Sequence, residues 1–115
     1  MGRLQDQVTL GALAAQSTNF TGTAFNFSSY TGGTVLVNTT VAGTTMTPDV
    51  QTSLDGGANW VTIPTSVLTA RAAITATGLI VYVFTPGVAF PFIRFVATAF
   101  TGAFTASVIG IFNHP

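Results

Sequence analysis

From Met46 to Leu54 the side chains alternate in character: Met46, Pro48, Val50, Thr52 and Leu54 oppose Thr47, Asp49, Gln51 and Ser53. A period of two sends alternate side chains to opposite faces of an extended chain, so this segment predicts a β-strand with one buried face and one wet face. Thr34 to Val41 repeats the pattern, with Val35, Val37, Thr39 and Val41 against Leu36, Asn38 and Thr40, and Gly43 ends it. Composition points the same way. Lys and Glu are absent and Leu is scarce, whereas Thr, Val and Phe, which fit a pleated, half-buried surface, are abundant. The chain is therefore predicted to be all-β.

Turn signals recur every 8–12 residues or so, the spacing of sandwiches and barrels. They delimit further strands at Thr23 to Phe27, Trp60 to Ile63, Leu68 to Ala76 and Leu79 to Phe84, the last closed by Thr85-Pro86-Gly87. Phe92 to Phe100 and Phe104 to Phe112 flank Thr101-Gly102-Ala103 and predict a long terminal hairpin. About eight strands result, in one antiparallel β-sandwich domain of jelly-roll or immunoglobulin-like topology over residues 21–115. Residues 1–20 are expected to form an extended N-terminal arm that grips neighbouring subunits. A length of 115 residues can enclose one real core without the disulfides that a chain with no Cys cannot make.

Only six residues are charged: Arg3, Arg71 and Arg94 against Asp6, Asp49 and Asp55. An average domain of this length carries about 29, roughly a quarter of its residues. With zero net charge there is no field to draw nucleic acid or anionic lipid, so a basic nucleic-acid binder is excluded. A hydrophobic content of 48% excludes disorder. The opening residues make a poor signal peptide, because Asp6 interrupts an apolar part of about eight residues. The uncharged stretch Ala72 to Ile93 is broken by Thr, Gly and Pro, so no membrane-spanning helix is expected and no membrane partner is assigned.

Ser53-Leu54-Asp55-Gly56-Gly57-Ala58-Asn59-Trp60 matches the Asp-box pattern Ser-x-Asp-x-Gly-x-x-Trp, with Asn59 where the pattern prefers Thr. The physics of this box is local: Ser53 and Asp55 accept backbone N–H bonds inside a hairpin loop, Gly57 supplies positive φ, and Trp60 folds back as an apolar lid. Sialidases and other propellers repeat the box once per blade. A single copy in a chain this short excludes that architecture.

Set in order, Gly32 to Val41, Val50 to Trp60, Gly78 to Phe84 and Ile93 to Thr105 resemble the small β-sandwich structural proteins of tailed-phage virions. The resemblance covers about residues 30 to 112. It implies a capsid decoration or cement subunit, a head-spike base or a tail component, assembled in the host cytoplasm without a signal peptide. The implied partners are copies of the chain itself and other virion proteins of capsid or tail.

Catalysis needs a convergent set of His, Cys or carboxylates, and this chain offers only His114, penultimate in the sequence, and three scattered Asp. No catalytic residue, cofactor or metal site is assigned. Arg94 lies on the face of Phe92 and Val96 and is expected to reach the rim, pair with Asp49 or Asp55, or bridge subunits; Arg71 is expected to be a solvent or interface charge. A compact chain of this mass exposes on the order of 5,900 Å², which six charges serve poorly as a free monomer. Strands apolar on both faces, such as Phe104 and Val108 against Ile109 and Ile111, call for a sheet covered on both sides. The apolar segment Phe84 to Phe92 argues likewise, since apolar loops usually mark contacts. The candidate interface is therefore Leu13, Phe84, Phe90, Phe92 and Arg94. A carbohydrate-binding module or tail adhesin presenting Trp60, Tyr30 or Tyr82 to a glycan is the alternative. An ice-binding surface is disfavoured by the irregular Thr spacing.

Overall fold

The computed structural model describes residues 5–87 and 90–114. Nine strands run in chain order: β1 (Gln5–Gln16), β2 (Phe20–Thr21), β3 (Phe25–Asn26), β4 (Gly33–Val41), β5 (Thr45–Ser53), β6 (Val61–Thr62), β7 (Gly78–Val83), β8 (Phe92–Thr101) and β9 (Phe104–Asn113). They form two antiparallel sheets packed as a sandwich, one ordered β1-β9-β4-β7 and the other β2-β8-β5-β6, with β3 also pairing β8. If β2 and β3 are taken as one interrupted strand, the first of eight strands pairs with the last, the second with the seventh, the third with the sixth and the fourth with the fifth. That nesting is the jelly roll, which settles the choice left open between jelly-roll and immunoglobulin-like topology. No helix occurs among the described residues, so none is long and apolar enough to cross a membrane.

Alternation decides which side chains enter the core. Val35, Val37 and Thr39 of β4 and Met46, Pro48, Val50 and Thr52 of β5 point inward, as their period requires. Pro48 sits in an interior strand because its nitrogen faces the side of β5 left open between the Met46–Ile74 bridge and β6, where no donor is needed. Phe25, Phe27, Tyr30, Phe84 and Phe112 make an aromatic cluster at one end, with ring centroids 4.8–6.4 Å apart. The accessible surface of 5809 Å² is that of a compact monomer of this mass.

Four expectations are corrected by the sheets. The arm expected over residues 1–20 is, from Gln5 to Gln16, strand β1, in register with β9 from Gln5↔Asn113 to Gln16↔Phe104. It joins the sheet because Val8, Leu10 and Leu13 need burial and β9 would otherwise be an edge. The terminal hairpin is no hairpin: β8 and β9 belong to opposite sheets, since Phe95 on one and Val108 on the other must face the same core. Val41, expected inward, is exposed beyond a bulge between Thr39 and Val41. Leu68 to Ala76 is a loop, tied to the sheets by the single bridges Leu68↔Phe84 and Met46↔Ile74, by hydrogen bonds between Thr69 and Val83, and by Arg71 on Asp49.

Candidate interaction surface

The Asp-box turn closes on its own atoms. Ser53 Oγ accepts the Gly57 N–H at 2.8 Å and donates to Asp55 Oδ1 at 2.8 Å. Asp55 accepts the Asn59 N–H at 2.9 Å and the Asn59 side-chain amide at 2.7 Å. These donors, the Asn59 backbone N–H foremost, hold the Asp55 carboxyl down from its ordinary 3.8 to about 2. Gly57 has φ +97°, and the Trp60 indole N–H donates to its carbonyl at 3.1 Å. The box residues and Asn59 thus satisfy one another, and the apolar Leu54 beside them is left in water, 74% exposed.

On the outer face of the β2-β8-β5-β6 sheet, Arg94 lies over the Trp60 ring at 4.4 Å from its centroid, and its Nε donates to Gln51 at 2.9 Å. Arg94 therefore stacks on the box lid instead of pairing with Asp49 or Asp55. Asp49 belongs to Arg71, which reaches it through Nε at 3.1 Å and Nη2 at 3.0 Å. Arg71 also donates to the carbonyls of Leu68, Thr69 and Ile63. With its side chain 3% exposed it is an internal clamp, correcting its expected role as a solvent charge. The hollow beside it, lined by Asp49, Thr62 and Arg71 among others, offers a ligand little: Thr62 donates to Asp49 Oδ2 at 2.6 Å, and the guanidinium is fully engaged.

His114, penultimate in the chain, packs tilted against Tyr30 at 4.9 Å between centroids and meets Asp6 Oδ2 at 2.8 Å. The Tyr30 hydroxyl donates to the same oxygen at 2.7 Å, and that bond raises its pKa above the ordinary 10. The two ends of the described chain are tied together here. No group of three or more metal-ligating side chains exists among the described residues.

The expected contact residues do not assemble into a surface. Leu13 and Phe84 are each 2% exposed in the core, because both occupy inward positions of their strands' alternation. Phe90 packs against Phe84 at 6.4 Å, so this part of the Phe84 to Phe92 segment folds over its own core, with residues 88 and 89 outside the described residues. Phe92 is half-buried between Ser53 and Asn26 on neighbouring strands.

The uncovered apolar surface lies elsewhere, on the outer face of the β1-β9-β4-β7 sheet. Register lines its outward side chains into rows: Gln7, Ile111, Thr34 and Val83; then Thr9, Ile109, Leu36 and Val81; then Ala12, Ser107, Asn38 and Leu79. Leu79, Val81 and Val83 are 59%, 42% and 51% exposed. None of these twelve side chains is charged. A shallow hollow of about 220 Å³ lies on this face, lined by Leu36, Leu79, Ile109 and Ile111 with Gln7, Asn38 and Ser107. The sequence signal was present in Leu36 on the wet face of its strand and in a β7 run with no polar alternate, but it pointed to burial as readily as to contact.

No family model and no curated protein matches the chain. Among solved structures it is similar to the crystal structure of PirA, at 12% identity and a TM-score of 0.51, over 99% of this chain and 96% of that one. It also aligns with a chain from the structure of infectious bursal disease virus Gx strain at 16% identity and a TM-score of 0.45, over 96% of this chain and 32% of the viral one. The likeness to PirA is one of fold.

Proposed function

We propose that the chain is a non-enzymatic structural subunit of a phage virion, of the decoration, cement or spike-base type, held in place by contacts with copies of itself and with other virion proteins. The observation that carries this reading is the uncharged outer face of the β1-β9-β4-β7 sheet, with Leu36, Leu79, Val81, Val83, Ile109 and Ile111 gathered over β7, β4 and β9. An apolar face of that extent is costly to leave in water and belongs against another surface. The described charges fit it: Asp49 and Arg71 hold each other, Asp55 is held by the Asp-box turn, Arg94 lies on Trp60, and Asp6 ties Tyr30 and His114 together, so each is engaged within the chain. The mechanism is passive, with stability accruing from repeated burial of apolar surface between subunits. Quantitative mass spectrometry of purified particles of the phage encoding the chain tests it. Many copies per particle are expected, and absence of the chain from particles refutes the reading.

A further inference from the structure

We propose that two copies of this chain dimerise face to face through the outer surface of the β1-β9-β4-β7 sheet, across a two-fold axis that lies between the two faces and parallel to the strands. The inference names one partner for the assembly reading and rests on it. The face carries two shapes side by side. Leu79, Val81 and Val83 stand out as a ridge along β7, and the hollow between Leu36, Ile109 and Ile111 lies inboard of it over β4 and β9.

A two-fold axis parallel to the strands, in the interface between ridge and hollow, sets each copy's ridge over the other's hollow, an isologous contact in which every residue is used twice. A foreign partner would have to reproduce both shapes, and a face without charge offers it no electrostatic complement to select on. A second copy brings both. The extent is sufficient: strands of 12, 10, 9 and 6 residues, about 4.8 Å apart at about 3.4 Å rise per residue, cover roughly 600 Å² in plane. A standard specific interface takes about 800 Å² of accessible surface from each partner, and a corrugated face exceeds its planar area. Gln7, Asn38 and Ser107 line the hollow beside the aliphatic side chains and supply its hydrogen-bonding groups.

Sedimentation equilibrium at tens of micromolar tests the proposal. The full chain is expected at twice its mass of 11.8 kDa. Val81→Glu, at an exposed position, is expected to halve the sedimenting mass with its far-ultraviolet circular dichroism unchanged; Leu79→Lys serves if Val81→Glu unfolds. Leu54→Glu, an equally apolar site far from this face, is expected to remain dimeric. A monomeric wild type overturns the proposal, as does a dimer that survives both face variants. A wild type that is monomeric but whose Val81→Glu variant no longer enters particles assigns the face to another virion protein, which overturns the dimer and leaves the assembly reading standing. A dimer absent from particles does the reverse.

Discussion

The Arg71 guanidinium is used entirely within its own chain, with Nε and Nη2 both donating to Asp49 Oδ1 and the rest to three carbonyls of the segment that follows β6. Arg71→Ala would leave a half-buried carboxylate and those carbonyls without their donor, so a loss of about 3 kcal/mol is expected. On a domain of this size that corresponds to a fall of roughly 10 °C in melting temperature, measurable by calorimetry. Tyr82 makes the opposite case. Its hydroxyl is buried without a hydrogen-bond partner among the described residues, and burial pushes its pKa up to about 12. Tyr82→Phe is therefore expected to be neutral or to stabilise by up to about 1 kcal/mol in urea unfolding. At Asp55 the folded-state pKa is depressed, so its contribution to stability is complete above the ordinary 3.8 and is lost as the pH falls toward about 2. Asp55→Asn puts an amide donor against that of Asn59, so the variant is expected to melt lower at neutral pH and to show a flatter melting profile between pH 4 and 2. The Asp-box residues were legible in the sequence because their bonds span four residues or fewer. The Arg71–Asp49 pair spans 22 residues, and Arg71 is flanked only by Ala, so nothing local marked it.

Strand positions followed from alternation, whereas strand partners did not. Both Thr34 to Val41 and Phe92 to Phe100 were placed to within a residue or so, yet each is followed by a strand of the other sheet, through arches at Ala42–Thr44 and Gly102–Ala103. Where the arches cross, the two backbones nearly touch: a Cβ at Gly43 would lie 2.7 Å from the Gly102 carbonyl carbon, and Thr44 N–H donates to the Thr101 carbonyl at 2.7 Å. Backbone cannot yield there as a side chain can. Gly43→Ala is expected to cost about 2 kcal/mol in urea unfolding, the usual range for overpacking. A Gly between two apolar strands reads equally as a hairpin or an arch, because the difference lies in what the backbone meets across the sandwich. β1 was misjudged for a related reason. Its apolar residues are interrupted by a bulge between Thr9 and Gly11, so the period of two slips, and only β9 beside it shows the segment to be a strand.

The whole molecule is two-sided. One outer face holds Arg94 on Trp60 and the Asp49–Arg71 clamp; the other has rows of aliphatic and uncharged polar side chains without a charge. Association through the second face is expected to respond to temperature more than to salt. The dimer constant should change less than about twofold between 50 and 500 mM salt, since charges contribute little there. It should weaken on cooling toward 4 °C, as burial of apolar surface does near room temperature. Sedimentation under the four conditions checks this, and a strongly salt-dependent constant would move the contact to the charged face. The sequence alone determined the class, the approximate strands, the Asp-box turn and the scarcity of charge, because each follows from local periodicity, local hydrogen bonding or composition. It also implied that apolar surface would be left over, but assigned it to Leu13, Phe84, Phe90 and Phe92. Only the tertiary structure decided where it lies. Inward and outward are defined by which sheet a strand joins, and β1, β4, β7 and β9 come together from opposite ends of the chain to place Leu36, Leu79, Val81, Val83, Ile109 and Ile111 on one face.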